Sequence, residues 1–270
     1  MKIIDAHIHF YNDENGHFNQ LAQRIGDINS EEYLRKHMKK YNIEKAIVMG
    51  NKGTKPESNV YPDFLAYAVG INQMYQESIV LNETMEKLEE NLKKDSCVGI
   101  KLYPGYTHEY IYEKHYYPIY ELVGKYNKTV AIHTGLTARS SGVLKYSHPL
   151  IVDEIAARFP GTRFVICHFG YPWIVDSVAI LEKNPNVFCD LSGLLVGNYN
   201  AAEFVIDKKD FFDEIRKWLN IMGNYKKFMY GTDWPLAKME FYIEFIKRLI
   251  PEKHWEDVFY NNAKEIYRIK

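Results

Sequence analysis

Short apolar segments rich in valine and isoleucine alternate with longer amphipathic segments along the whole chain. The short segments are apolar on both faces, which is typical of strands buried in a parallel sheet. Eight strand–helix units in 270 residues predict an α/β fold, a (β/α)8 TIM barrel. The predicted strands are residues 2–10, 45–50, 78–82, 97–103, 129–135, 163–170, 186–193 and 227–235.

The segments between these strands carry signals for helices. Ser30 is placed to cap a helix over 30–42, and Thr84 to cap one over 84–94. Pro149 suits a first helical turn, and residues 159–161 (Phe-Pro-Gly) are expected to end that helix. An open doubly wound sheet is the alternative. It is disfavoured because the first strand ends in His-Ile-His and not in a glycine-rich turn for phosphate.

Composition limits the classes of function. A hydrophobic content of 46% suffices for one large core, so residues 1–270 are expected to form a single domain. With 34 Lys and Arg against 35 Asp and Glu, no partnership with nucleic acid or a membrane surface is expected. The start of the chain lacks a signal-peptide pattern, and no apolar run approaches the ~18 residues of a membrane span.

The three cysteines suggest a reducing compartment. Cys97, Cys167 and Cys189 all lie in apolar, strand-like segments, so buried free thiols are favoured over disulfides. A cytoplasmic protein is the expectation. Cys167 precedes His168 and is therefore expected to face the surrounding helices, away from any metal.

The first strand carries polar residues where a barrel strand should be apolar. His7 and His9 alternate with apolar neighbours and project to one side, with Asp5 one step deeper. Two imidazoles so placed can converge on one ion at the rim of a barrel. Asp5 is interpreted as a hydrogen-bond partner of a ligand or as part of a buried polar network.

Three later strands end in further potential ligands. His133, His168 and Asp233 stand at the ends of the fifth, sixth and eighth predicted strands, where barrel enzymes build their active sites. Neutral imidazole and carboxylate together suit Zn²⁺ and also accommodate Mn²⁺ or Fe²⁺. The sequence therefore predicts a metal site assembled from four separate strands.

This ordered set of motifs resembles the amidohydrolase superfamily. The segments "DAHIH", "HTG", "HPLIVDEIAARFP", "CHFG" and "GTDWP" resemble its amidohydrolase-related branch, whose members are metal-dependent barrel hydrolases and decarboxylases. The resemblance implies that His7, His9 and Asp233 hold the principal metal. It also implies that His133 ligates it in mononuclear members, while His168 contacts the metal-bound water or the substrate.

Lys101, near the end of the fourth strand, separates two versions of this site. In binuclear relatives a carboxylated lysine there bridges two metals, and Lys101 and His168 would then serve a second ion. The other interpretation is an ordinary lysine that pairs with a carboxylate or orients a substrate anion. One Zn²⁺ ion is the expectation, with Mn²⁺ or a binuclear site as alternatives.

The implied activity is hydrolysis of an ester, lactone or amide bond in a small molecule. A metal-activated water would attack, and Asp233 would act as general base and then as general acid. Asp190, on the seventh strand, is interpreted as a supporting acid. A homodimer is expected only by analogy with the family.

Residues expected to contact the substrate lie in loops at the same rim. They are Tyr103 and Tyr106 in the tyrosine-rich loop after the fourth strand, Arg139 for a substrate carboxylate, and Trp173 for stacking. Lys145 and Trp234 are further candidates for these two roles.

Three alternatives remain open. A decarboxylase of a small aromatic or dienoic acid would use the same metal site. A metal-dependent nuclease is disfavoured because its fourth strand would carry glutamate where Lys101 stands and because the chain has no surplus of basic residues. A non-catalytic barrel is disfavoured because every expected ligand position is filled.

Overall fold

Eight parallel strands, hydrogen-bonded in chain order, form the centre of the protein. The computed structural model describes residues 1–11, 16–71, 82–199 and 201–270. The amide of Ala6 donates to the carbonyl of Tyr230 (3.0 Å), and that of Asp233 to the carbonyl of His7 (2.8 Å), which joins the first strand to the last and confirms the predicted TIM barrel. The strands are β1 Ile3–Ile8, β2 Ile43–Met49, β3 Leu65–Ile71, β4 Cys97–Leu102, β5 Thr129–Ile132, β6 Arg163–Ile166, β7 Val187–Asp190 and β8 Phe228–Met229.

Helices pack around the outside of this barrel and bury their apolar sides against it. Helix α10 shows the pattern: Tyr242, Phe245, Ile246 and Leu249 recur at helical spacing and are all buried. The helices are α1 His17–Arg24, α2 Glu31–Lys40, α3 Asn82–Leu92, α4 Pro104–Thr107, α5 Tyr117–Lys125, α6 Ile151–Arg158, α7 Ile174–Lys183, α8 Ala201–Asp207, α9 Lys209–Met222, α10 Met239–Leu249 and α11 Asn262–Ile266.

The third strand differs from the sequence prediction. Of the predicted segment 78–82, residues 78–81 lie outside the described residues, and Asn82 opens helix α3. The strand that pairs with β2 and β4 is Leu65–Ile71. Its alanines and Gly70 weaken the sequence signal. Crowding requires the glycine, since a Cβ on Gly70 would lie 1.8 Å from the carbonyl oxygen of Gly50.

Helix boundaries agree with the sequence in two of four places. Pro149 is not in a first helical turn, because α6 begins at Ile151 and Leu150 is its N-cap. The hydroxyl of Ser30 accepts a hydrogen bond from the amide of Tyr33 at 3.2 Å, as expected of a helix cap. Helix α6 ends at Arg158, directly before the Phe-Pro-Gly segment. Thr84 does not cap its helix, because α3 already begins at Asn82 and Thr84 lies within its first turn.

The interior of the barrel is narrow and is closed at one end. Small and medium apolar side chains such as Ala131 and Val165 fill it, together with Ile266 from α11. The carbonyl of Ile266 accepts hydrogen bonds from Thr129 Oγ1 (2.7 Å) and Arg163 Nε (2.8 Å), both at the amino-terminal starts of their strands. Helix α11 thus covers this end, and the polar side chains gather at the opposite, carboxyl-terminal mouth.

Candidate metal and catalytic site

Three side chains predicted as metal ligands converge at the carboxyl-terminal mouth of the barrel. His7 Nε2 lies 3.4 Å from Asp233 Oδ1, and His9 Nε2 lies 3.2 Å from the same oxygen. One ligand atom from each residue falls within 4.8 Å of the others. The sequence places the histidines on β1 and the aspartate after β8, and closure of the barrel makes these segments neighbours.

Hydrogen bonds from the opposite ring nitrogens fix the tautomers of the two histidines. His7 Nδ1 donates to Asp190 Oδ2 at 2.9 Å, and His9 Nδ1 donates to the carbonyl of Met49 at 3.0 Å. In the neutral form of each ring, which a metal ligand must adopt, Nε2 then carries a lone pair. Both lone pairs face the Asp233 carboxylate, which has no proton to offer them.

The donor set therefore fits a divalent cation. Among the described residues, His7 Nε2 and Asp233 Oδ1 are buried atoms without a hydrogen-bond partner. Leaving such an atom unpaired costs about 1–3 kcal/mol. A cation shared by two neutral imidazole nitrogens and a carboxylate would satisfy all three residues, and this combination suits Zn²⁺.

His168 and His133 lie beside this group. His168 Nδ1 is 4.0 Å from Asp233 Oδ2, and its ring centroid is 4.8 Å from that of His7. The ring of His133 is 5.0 Å from that of His168, and its Nε2 contacts the carbonyl of Leu136 at 3.1 Å. His133 would thus have to present Nδ1 to share an ion with the other three.

His168 and Asp233 both adopt a left-handed backbone conformation, with φ of 62° and 61°. Residues with a side chain seldom adopt such angles, and the angles recur where function requires a particular side-chain direction. In His168 the turn follows directly after β6 and brings the ring back over the mouth. The ring consequently faces Asp233 across the barrel opening.

A network around Asp190 holds two of the histidines in place. Asp190 Oδ1 accepts from the amide of His168 (3.0 Å) and from the amide (3.1 Å) and hydroxyl (2.6 Å) of Ser192. Ser192 Oγ also lies 2.9 Å from His168 Nδ1 and 3.1 Å from His7 Nδ1. The sequence prediction of Asp190 as a supporting acid agrees with these contacts.

The environment keeps His7, His133 and His168 neutral and the Asp233 carboxyl ionised. Burial lowers the pKa of His7 to about 4 and also lowers the pKa of His133 and of His168. Burial alone would raise the pKa of Asp233, but the surrounding histidines, His7 foremost, lower it below its usual value. These are the protonation states that a bound divalent cation requires.

Sequence reasoning missed two neighbours of this site, Ser192 and Gly193. Gly193 has φ of 62°, and a Cβ on it would lie 2.6 Å from His168 Nδ1 and 2.9 Å from Asp233 Oδ2. Only glycine lets the chain pass so close to both residues. The segment "DLSG" at the end of the seventh predicted strand contained this signal, since a polar turn at a strand's carboxyl end faces the mouth.

Cys167 does not face the surrounding helices as predicted. Its sulfur lies within 4.8 Å of ligand atoms of His7 and Asp190, and Lys101 Nζ lies 2.8 Å from it. The prediction assumed that alternation continues through His168, whereas the left-handed turn at His168 lets both residues point inward. Lys101 is therefore in contact with a thiol deep in the barrel.

Asp5 anchors the backbone beneath the site. Against β2, the strand β1 has one extra residue between Asp5 and Ile8, which interrupts the alternation of its side chains. The Asp5 carboxylate accepts from the amide and hydroxyl of Thr232 (3.0 and 2.7 Å) and from the amide of His7 (3.2 Å). It thereby belongs to a buried polar network, which is one of the two roles considered for it.

The residues predicted to contact the substrate differ in their burial and in their hydrogen bonds. Tyr106 lies 5.0 Å from the His133 ring, and its hydroxyl accepts from the amide of Ala138. Tyr103 is buried and donates its hydroxyl to the carbonyl of Gly50. Arg139 is exposed on the loop next to Ala138.

The two tryptophans occupy different surroundings. Trp173 is partly exposed and packs on the ring of His148, 4.6 Å away. Trp234 is fully buried and donates to Asp27, so its stacking on a substrate is not supported. Of the two, Trp173 alone has exposed surface.

Comparison with known proteins establishes the family. A family model described as amidohydrolase matches residues 4–269, nearly the whole chain. The chain belongs to this amidohydrolase family. The family consists of metal-dependent enzymes, hydrolases and decarboxylases among them. No curated protein matches the chain.

Solved structures of several bacterial proteins have the same fold as this chain. An amidohydrolase from Burkholderia multivorans with bound zinc is 15% identical, with a TM-score of 0.73 and 100% of both chains covered. A probable 2-pyrone-4,6-dicarboxylic acid hydrolase from Acinetobacter baumannii, with citric acid bound, is 18% identical, with a TM-score of 0.66 and coverage of 99% of this chain and 100% of that one. A 2,6-dihydroxybenzoate decarboxylase from Rhizobium is 14% identical, with a TM-score of 0.67 and coverage of 100% and 99%. At such identities the likeness establishes the barrel fold.

Within the described residues, no helix is both long enough and apolar enough to cross a membrane.

Proposed function

We propose that this protein is a metal-dependent hydrolase that opens an ester, lactone or amide bond in a small molecule. One observation carries the proposal: lone pairs on His7 Nε2 and His9 Nε2 face one oxygen of Asp233 at 3.4 and 3.2 Å. With both imidazoles neutral, these three groups repel one another unless a cation lies between them. Family membership supports a metal-dependent reaction.

His7, His9 and Asp233 would hold the ion, with His133 as the candidate for a fourth ligand. A nitrogen-rich set with one carboxylate favours Zn²⁺ and also accommodates Mn²⁺. When bound, such an ion supplies a Lewis acid for the carbonyl under attack and lowers the pKa of a water to about 7.

A single ion is favoured over two because of the position of Lys101. Its amine lies 2.8 Å from the Cys167 sulfur. A carboxylated lysine would instead have to place its oxygens between two ions. The two roles are incompatible for one side-chain position, so Lys101 and His168 are not proposed as ligands of a second metal in this arrangement.

Asp233 is proposed as the residue that moves the proton. Its Oδ1 faces His7 on β1 and His9 directly after β1, while Oδ2 faces His168 at 4.0 Å. The Asp233 carboxyl, whose pKa the histidines lower, is ionised at neutral pH, and the ionised form is the one that can accept a proton from the attacking water. Asp233 would then donate that proton to the leaving group.

His168 is proposed to orient the substrate carbonyl. The carbonyl and hydroxyl oxygens of Ser192 lie 3.2 and 2.9 Å from His168 Nδ1, so this nitrogen carries the hydrogen and Nε2 is left for the substrate. Tyr106 and Arg139 are proposed to contact the rest of the substrate, because the backbone amide next to Arg139 is bonded to the Tyr106 hydroxyl. Tyr103 and Trp173 would line the substrate pocket around these two residues.

Metal analysis combined with a substrate screen tests this function. Purified protein should contain close to one equivalent of metal, lose activity on chelation and regain it with Zn²⁺ or Mn²⁺. Esters, lactones, amides and aromatic carboxylic acids would be screened in ¹⁸O-labelled water. Label in the carboxylate product supports the hydrolase. Release of CO₂ together with an organic product that contains no ¹⁸O would replace it with a decarboxylase.

A metal-free protein that gains nothing from added ions would contradict both reactions. His9→Asn should fail to retain metal, and His254→Asn serves as the control. His254 stacks on Tyr225, with ring centroids 4.2 Å apart and no contact with the site residues. Equal metal content in both variants would contradict the proposed set of metal ligands.

A further inference from the structure

Lys101 and Cys167 approach each other unusually closely inside the barrel. The Nζ–Sγ distance is 2.8 Å, and both side chains are fully buried. An N–H···O hydrogen bond measures about 2.9–3.0 Å, and sulfur is larger than oxygen, so an N–H···S contact should be longer. A direct N–S bond would be far shorter, whereas one oxygen atom between nitrogen and sulfur would hold them at this separation.

The surroundings of the pair bury both of its members, with ligand atoms of His7 and Asp190 within 4.8 Å of the sulfur. Ala131 and Val165 belong to the same apolar interior as Cys167, and no water-exposed surface of either partner competes for the contact. The hydrogen bond that Lys101 makes within the described residues goes to this sulfur. Neither group is used in the proposed hydrolysis.

We propose that Lys101 and Cys167 form a covalent N–O–S bridge when the protein meets a peroxide. In the first step the thiol sulfur takes one oxygen from a peroxide molecule, which gives a sulfenic acid and water. In the second step a second peroxide molecule oxidises the pair: one N–H and the sulfenic O–H bond break, an N–O bond forms, and two waters leave. Nitrogen and sulfur are each oxidised by two electrons, and the two peroxide molecules are reduced.

The bridge would connect two strands that are not neighbours in the sheet. Lys101 belongs to β4 and Cys167 follows β6. The link therefore spans the position of β5, which lies between these two strands in the sheet. A cross-link between residues 66 positions apart restricts the unfolded chain and should raise the melting temperature. It would also convert the amine into a group that carries no positive charge.

Peptide mass spectrometry tests the bridge directly. Protein treated with hydrogen peroxide would be alkylated after denaturation and digested without reductant. We expect a cross-linked pair of peptides that contains Lys101 and Cys167, with one oxygen gained and two hydrogens lost. Dithiothreitol should return both peptides to their unmodified masses and abolish the rise in melting temperature.

Matched variants separate this linkage from general oxidation. Cys167→Ser and Lys101→Met should both lose the cross-link. Cys189→Ser should keep it, because the Cys189 sulfur contacts the carbonyl of Asp190 and no amine. Recovery of Cys167 as a free thiol, as a sulfinic or sulfonic acid, or in a cross-link without the added oxygen would overturn the proposal. None of these results depends on whether the protein hydrolyses a substrate.

Discussion

His9 Nε2 and Asp233 Oδ1 lie 3.2 Å apart with a lone pair on each atom. The carbonyl of Met49 occupies the other nitrogen of His9 at 3.0 Å, so His9 cannot turn its hydrogen towards the carboxylate without losing that bond. With His9 neutral, two electron-rich atoms lie face to face in a buried site, and a shared cation would relieve their repulsion. This relationship underlies the assignment of a metal site.

Asp233→Asn should lower kcat/KM by about 100-fold or more, in line with the loss of a general acid–base residue. The amide can neither accept the proton from water nor pass it on. Steady-state kinetics on the substrate found by screening would measure the loss. Asp210→Asn, a change of an exposed aspartate on α9, is the control. Similar kcat/KM values for the two variants would contradict the proton-transfer role of Asp233.

Asp190→Asn should weaken metal binding by about 10–100-fold. An amide at this position can turn its own hydrogens towards His7 Nδ1 and so favour the tautomer whose Nε2 carries hydrogen and cannot ligate. Competition with a chromophoric chelator would measure the affinity. Asp153→Asn is the comparison, because Asp153 pairs with Lys183 on the outer helices. An unchanged affinity in Asp190→Asn would show that the carboxylate does not set the tautomer.

Gly193→Ala should reduce metal binding and activity, whereas Gly223→Ala should not. Both glycines have a positive φ, 62° and 65°, so both variants lose stability from the strained backbone, by about 1–2 kcal/mol. Only at Gly193 would the new Cβ collide with His168 and Asp233. The nearest atom to a Cβ on Gly223 is 3.7 Å away. Comparable activity losses in the two variants would attribute the effect to stability alone.

In chelator-treated protein, the free energy of unfolding should decrease as the pH falls from about 7 to about 5. Burial lowers the pKa of His7 to about 4 and also lowers that of His133. An unfolded histidine titrates near 6.5, so in this interval the unfolded chain takes up protons that the folded chain does not. Protons therefore favour unfolding, and the stability is lost as the pH falls.

His133→Gln should show a smaller decrease over the same interval, because one buried imidazole that resists protonation has been removed. Urea unfolding followed by circular dichroism at each pH would measure the difference. An identical decrease in the variant and the wild type would show that His133 does not contribute to the pH dependence.

The barrel was predictable because seven of its strands are short apolar segments between helical segments, most of them with several Val or Ile residues. The third strand was missed because Leu65–Ile71 contains alanines and a glycine, which carry a weak strand signal. At Gly70 the close approach of Gly50 requires the glycine. The Ser-Ile-Val-Leu-Asn segment at 78–82 carries a stronger strand signal. Tertiary packing decided this element, and a single sequence does not reveal it.

The site was partly predictable for a similar reason. His7, His9 and Asp233 stand at strand ends, and strand order in a closed barrel brings them together. The orientation of Cys167 was wrong because the left-handed turn at His168 breaks the alternation of side chains. The contribution of Ser192 depends on hydrogen bonds between three strands, and spacing along one strand does not show them.

The most direct test of the central claim is an anomalous-scattering map from crystals of the protein grown with Zn²⁺ and recorded on both sides of the zinc absorption edge. The account predicts one strong peak within bonding distance of His7 Nε2, His9 Nε2 and the Asp233 carboxylate. A map without a peak among these three residues, from crystals in which zinc is bound elsewhere or not at all, would contradict it.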